Sequence, residues 1–192
     1  DAIPDGLEVR AYEERDFAAM QALFESIFND TMSAAFHAWK YQPGKSGAVV
    51  VYKDQELVGH YGGIGTDIYM QGQPAKAIQI VDVMIKPSAR IAVRTHSPFF
   101  LAGARFLEQF IGYQQPYLLG YGFPSDRHLR LAQRLGLYAP VGSMLQLQWP
   151  AGKAGQGMGL LHRVSQLTAD NFPQFHPVLD YLWKRMLSGF NQ

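Results

Sequence analysis

The strongest constraint on the fold lies between Ala77 and Phe123, where two strand-like runs flank a capped helix. Ala77 to Ile85 is rich in β-branched residues, as a buried strand requires. Ser97 and Pro98 then supply a helix start, with serine as N-cap and proline at the first helical position. Phe100, Ala104, Leu107 and Ile111 place one apolar stripe along that helix, and Gly112 suits its C-terminal end. Beyond Pro116, Tyr117 to Phe123 reads as a strand again. Strand, helix and strand in this order predict a βαβ unit, whose strands run parallel. The chain before it has another character. Ala48–Tyr52, Leu57–Tyr61, Thr66–Met70 and Ala77–Ile85 follow one another through the turn segments Lys53–Glu56 and Gln71–Pro74, the pattern of an antiparallel meander. A sheet containing both parts changes from antiparallel to parallel at Ala77–Ile85, so the expected class is α+β with one mixed, mostly antiparallel sheet.

The remaining elements fit around that sheet. Leu7–Tyr12 reads as a strand, and Asp16 is placed to cap a helix carrying Phe17, Met20, Leu23, Phe24, Ile27 and Phe28 at helical spacing. The passage containing Trp39, Tyr41 and Pro43 reads as a polar and aromatic connection. Asp126–Leu135 forms a helix closed by Gly136, and Met144–Trp149 alternates apolar and polar residues as an antiparallel strand does. One domain is expected over 1–150, then a glycine- and alanine-rich linker over 151–159 and a βα extension over 160–192. When Val9 is placed on Val164, Asp16 meets Asn171, Phe17 meets Phe172 and Phe28 meets Trp183. The extension is therefore either the start of a second half like the first or a strand and helix bracing a single domain.

Composition narrows the partners. The chain has 192 residues, with 17 lysines and arginines against 16 acidic residues. That balance provides no basic surplus for nucleic acid or an anionic membrane. With no cysteine, disulfides, thiolate catalysis and cysteine-bound zinc are excluded. The six histidines show no paired ligand spacing, so no metal is expected. No apolar run approaches the ~20 residues that span a bilayer, and a cytoplasmic location is expected. The chain begins at Asp1 without an initiator methionine or a signal-peptide pattern, and is expected to be a trimmed or excised product. Nothing in the sequence indicates an oligomeric state. Gly44-Lys45-Ser46 is not the end of a phosphate-binding loop, because Trp39 stands where that motif needs glycine and a strand follows.

A βαβ crossover puts the N-terminus of its helix at the carboxyl end of the preceding strand, where free N–H groups and the helix dipole favour an anion. The Ser88–Ser97 segment falls there and carries Arg90 and Arg94. These are either bidentate phosphate ligands or solvated loop residues.

At this point the chain resembles the GNAT superfamily of acyl-CoA-dependent N-acetyltransferases, in particular a branch of bacterial GNAT proteins of poorly defined acceptor. The resemblance rests on Trp39-Lys40-Tyr41 with Pro43-Gly44, Val58-Gly59-His60-Tyr61-Gly62, and Val81 to Pro87, then Tyr121-Gly122-Phe123-Pro124 ahead of Leu135-Gly136-Leu137. It implies a GNAT-like fold with helices on both faces of the sheet and parallel strands splayed apart around a pantetheine arm. It implies acetyl-CoA, or another acyl-CoA, as co-substrate, and a small-molecule or sugar acceptor. Val83, Met84 and Ile85 correspond to backbone that meets the acyl carbonyl and pantetheine, while Arg90, Arg94, Ser97 and Phe99 correspond to the pyrophosphate loop and helix entrance.

The chain also departs from the pattern. GNAT loops usually contain Arg/Gln-x-x-Gly-x-Gly/Ala, whereas no glycine lies between Pro87 and Gly103. Ala132 stands where a general-acid tyrosine often lies, and Ser125 where asparagine often lies. The proton donor to the thiolate is then sought among Tyr121, His128 and Tyr138. Asp82 is the first candidate base, since burial in an apolar strand tunes a carboxylate toward such work; its other reading is a residue facing solvent or bonded to a loop. His60 has a ring suited to proton transfer, and is otherwise a hydrogen-bonded strand histidine. The expected function is transfer of an acyl group from CoA to an amine or hydroxyl of a small molecule or sugar; the alternative is a GNAT-fold domain that has lost catalysis and serves a binding or structural role.

Overall fold

The computed structural model describes residues 3–4, 6–90, 96–143 and 168–189. The chain divides into two compact units, Asp1–Pro140 and Val141–Gln192. The first is built on one sheet in the order β1 (Leu7–Ala11), β2 (Ser46–Lys53), β3 (Glu56–Met70), β4 (Gln73–Ile85) and β5 (Leu119–Tyr121). β1 to β4 pair antiparallel, and β5 joins β4 in parallel through Ala77–Gln79 against Leu119–Tyr121. The predicted change of direction thus falls on β4, after the connecting helix α3 (Pro98–Phe110).

Each face of the sheet has its own core, because alternate strand residues point to opposite sides. On one face Met20 and Leu23 of α1 (Phe17–Phe28) pack with Met32, Val50, Leu57 and Met84. On the other, Phe99, Ala102 and Phe106 of α3 and Ala132 of α4 (Asp126–Arg134) pack with Val49, Tyr61 and Ile78. Ser97 caps α3 by accepting from the Phe100 N–H at 3.3 Å, as its sequence predicts.

Four local expectations are corrected. Thr66–Met70 is not a separate strand, because β3 runs unbroken through Gly62, Gly63 and Gly65. Those glycines are places where neighbours fill the side-chain space: a Cβ on Gly63 would lie 2.6 Å from Ile78 Cδ1 and 2.7 Å from Phe106 Cζ. The aromatic connection contains a helix, α2 (Ala34–Lys40), started by Ser33, whose hydroxyl accepts from the Phe36 N–H at 3.1 Å. Asp16 precedes α1 but makes no capping bond to it, because its carboxylate is taken by Arg10 at 2.7 Å on each oxygen and by the Tyr52 hydroxyl at 2.8 Å. The predicted strand Tyr117–Phe123 contracts to β5, preceded by a single bridge between Ile111 and Tyr117.

In the second unit α5 (Phe172–Gly189) starts just after Asn171, whose side chain accepts from the Thr168 N–H at 2.8 Å. The predicted strand Met144–Trp149, the 151–159 linker and the strand around Val164 lie outside the described residues. Among the described residues no helix is long and apolar enough to cross a membrane, and no group of three or more His, Asp or Glu is placed to hold a metal ion.

Candidate active site

The site grows from the C-terminal end of β4. Pairing with β5 stops at Gln79, so Ile80–Ile85 runs on beyond the β5 ladder and the two parallel strands part. Pairing with β3 is also broken. The register passes from Gly62↔Val81 to His60↔Met84, which sets Asp82 and Val83 against Tyr61 alone, a bulge in β4. Asp82 occupies the left-handed region there, with φ 48°, a conformation that costs a non-glycine residue roughly 1–2 kcal/mol.

On the α3 side of this strand end lies a cleft of about 660 Å³. Val83 and Ile85 form its strand wall, Ser97, Pro98 and Phe99 its helix-entrance wall, and α4 with Ser125 the third side. Four arginines line it, Arg90, Arg127, Arg130 and Arg134, with no acidic residue among its lining. The three on α4 are exposed and have no ion pair among the described residues. Arg90 donates through Nε to the Ile85 carbonyl at 3.1 Å, which leaves its terminal nitrogens for a ligand. A cleft of one charge sign with apolar walls concentrates its field on an anion. The α3 entrance adds less to that, because Pro98 has no N–H and the Phe100 and Leu101 N–H groups are bonded to Ser97, leaving the Phe99 N–H.

His128 also lines the cleft, edge-on to Phe99. Burial pushes its pKa below the ordinary histidine value, and its Nε2 is buried with no partner among the described residues. Tyr138 is tied to the Tyr61 hydroxyl; burial pushes Tyr138 up to about 12.

On the other side of the bulge is a buried polar cluster. The Asp82 carboxylate accepts from Lys40 Nζ at 2.8 Å on Oδ1 and from the Tyr41 hydroxyl at 2.7 Å on Oδ2. Both members of the ion pair are nearly out of water, with side-chain exposures of 12% for Lys40 and 9% for Asp82. His60 is fully buried and its Nδ1 lies 2.8 Å from the Asp82 carbonyl. A carbonyl only accepts, so Nδ1 carries the proton and Nε2 is left as an acceptor with no partner among the described residues. Burial first, opposed by the bond to Asp82, holds His60 below the ordinary histidine pKa, and the ring is neutral at pH 7. Burial and the Asp82 carboxylate together push Tyr41 well above 10.

The sequence-predicted residues therefore separate. Val83, Ile85, Arg90, Ser97 and Phe99 line the cleft. Met84 turns its side chain into the α1 core, so only its backbone faces the strand edge. Asp82 and His60 meet in the polar cluster, whereas Tyr121 lies on β5 opposite Gln79 with its ring against Phe123. Arg94 lies outside the described residues. Sequence reading missed Arg127, Arg130 and Arg134, although their spacing puts them along one side of α4. It also missed the role of Lys40 and Tyr41, which only the fold brings to Asp82.

The sequence model of the acetyltransferase (GNAT) domain family matches residues 8–93. Over that stretch the chain is similar to a GNAT domain. An acetyltransferase from Trypanosoma brucei superimposes with a TM-score of 0.54 at 17% identity, over 74% of this chain and 99% of that one. AAC(6')-Iy, solved with the bisubstrate analogue CoA-S-monomethyl-acetylneamine, gives 0.56 at 12% identity, over 75% and 98%. Glucosamine-6-phosphate N-acetyltransferase from Arabidopsis thaliana gives 0.51 at 12% identity, over 73% and 97%. At these identities the likeness is one of fold. No curated protein matches the chain in sequence.

Proposed function

We propose that this GNAT-like domain transfers an acetyl or related acyl group from CoA to an amine or hydroxyl of a small molecule or sugar. The observation that carries the reading is the arginine-lined cleft opening at the parted end of β4. CoA presents a pyrophosphate and a ribose phosphate to the arginines, and its pantetheine arm runs along Val83 and Ile85. AAC(6')-Iy, which shares the fold, was solved with a CoA conjugate. The loop after Pro87 has no glycine to bring its backbone close to phosphate. Arg127, Arg130 and Arg134 take over that contact from α4, together with Arg90 and the loop arginine Arg94.

In this reading the acceptor attacks the thioester carbonyl, carbon–sulfur cleavage releases CoA thiolate, and the acceptor gives up a proton. Of the two candidate bases beside the strand end, the Asp82 carboxylate is engaged on both oxygens by Lys40 and Tyr41, so neutral His60, whose Nε2 has no partner among the described residues, is the group that receives it. His128, which lines the cleft, is the candidate to protonate the thiolate; Tyr138 is committed to Tyr61, and Tyr121 stands at the last pair of the β5 ladder, outside the cleft's lining. A second reading, binding without turnover, is favoured by Ala132, which is fully buried where GNAT enzymes often place a tyrosine.

Titration with acetyl-CoA tests the proposal. A ligand at ~100 times its dissociation constant stabilises the native state by about 2.7 kcal/mol if it binds only that state, so a clear rise in Tm is expected. No shift and no calorimetric heat at millimolar acetyl-CoA sinks both readings. Binding without thiol release across amine and sugar acceptors selects the second.

A further inference from the structure

Asp82 is held in an unfavourable conformation by partners from two other parts of the fold. Its left-handed backbone makes the β4 bulge, and a residue kept there needs its surroundings to hold it. Lys40 and Tyr41 grip the carboxylate, and His60 grips the carbonyl of the same residue. Tyr41 is itself wedged in place: a Cβ on Gly62 would lie 2.4 Å from its hydroxyl oxygen and 2.8 Å from His60 Cε1. Immediately after Asp82 comes Val83, which lines the cleft. The grip on Asp82 thereby fixes the bulge from which Val83 enters the cleft wall.

We propose that Lys40 and Tyr41, acting with His60, are positioning residues that hold the Asp82 bulge and so aim the Val83 N–H at the acyl carbonyl. The proposal rests on the acyl-CoA reading above. It makes the carboxylate of Asp82 a structural anchor, since both its oxygens are engaged at 2.7–2.8 Å, and it gives α2 a task at a distance from the cleft. It also predicts what relieves the need for the grip. Glycine adopts the left-handed region freely, so glycine at position 82 keeps the bulge without Lys40 or Tyr41, whereas alanine does not.

The experiment uses the full chain and acetyl-CoA labelled with 13C at the thioester carbonyl, read by infrared difference spectroscopy, with CoA affinity measured by calorimetry. In the unaltered protein the carbonyl stretch shifts to lower frequency on binding. Tyr41→Phe, which removes one oxygen, and Tyr41→Phe with Lys40→Met reduce that shift while CoA affinity stays within about twofold. Adding Asp82→Gly to the double variant restores the shift, and adding Asp82→Ala does not. A general loss of folding would lower CoA affinity and carbonyl shift together, and glycine would not restore them. If the unaltered protein binds neither CoA nor acetyl-CoA, the functional reading fails and the positioning role falls with it. If it binds both, the positioning role alone is overturned by any of three results: no carbonyl shift in the unaltered protein, an undiminished shift in both variants, or equal effects of glycine and alanine. If the double variant does not fold, Tyr41→Phe alone decides.

Discussion

Asp16 and Asp82 are two buried carboxylates whose meaning differs with the company they keep. Asp16 is 2% exposed and accepts from Arg10, from the Glu13 N–H at 2.8 Å and from Tyr52. Burial raises its pKa, but those bonds outweigh burial and hold it below the ordinary carboxylate value. A group whose pKa is depressed by folding adds stability above its unfolded pKa, about 3.9, and loses that contribution as pH falls through the folded value. Acid unfolding should therefore set in below about pH 4. Arg10→Met strands the buried charge, which typically costs about 3–5 kcal/mol. Its denaturation midpoint at pH 7 should drop accordingly, and its stability should vary less with pH between 2 and 4. A variant as stable as the parent at pH 7 would remove the Arg10–Asp16 pair from the account of the core. Sequence reading took Asp16 for a helix cap because an acidic residue before an apolar helical stripe has that pattern. The pattern carries no trace of Arg10 and Tyr52, which reach it from β1 and β2. Asp82, by contrast, stood out as an acid in an apolar strand, but only the pairing of β3 with β4 brings it to His60.

Elements were legible where one local signal sufficed. Ser97-Pro98 announced α3 at its first residue, and the turns flanking β-branched runs gave the meander. The break expected before Thr66 was an error of a specific kind. An alternating pattern that stops at Tyr61 and resumes at Thr66 reads as two strands, whereas the glycines between them keep one strand going and mark close approach by residues distant in sequence. Gly63→Ala is the direct test: its methyl would press on Ile78 and Phe106, both fully buried with no room to retreat. Overpacking of this kind typically costs about 1–3 kcal/mol. Chemical denaturation should show a lowered midpoint with an unchanged slope, because the strand is strained and the surface exposed on unfolding is the same. A neutral Gly63→Ala would mean that β3 and α3 are less tightly packed than the structure has them. α2 was missed for the opposite reason, since its residues carry no long apolar stripe and its seven-residue length gives periodicity little to work on.

Charge shows how a property of the whole chain can hide a property of one site. The formal net charge is +1, and on that balance the sequence offered no reason to expect a strong anion site beyond two loop arginines. Folding gathers Arg90 with Arg127, Arg130 and Arg134 around one cleft that has no acidic residue in its lining. The local field is then far stronger than the net charge suggests, and salt screens it. Raising ionic strength from about 0.01 M to about 1 M shortens the Debye length from about 30 Å to about 3 Å. If phosphates of CoA sit among these arginines, affinity should fall by more than tenfold over that range. Arg130→Gln with Arg134→Gln should weaken binding at low salt by roughly tenfold or more, since a charge-assisted hydrogen bond contributes about 1.5–3 kcal/mol, and should flatten the salt dependence. Pantetheine, which has no phosphates, should bind weakly and with little response to salt. An affinity for CoA that holds steady or tightens as salt rises would mean that apolar contacts along Val83, Ile85 and Phe99 dominate, and the α4 arginines would lose their place as phosphate ligands.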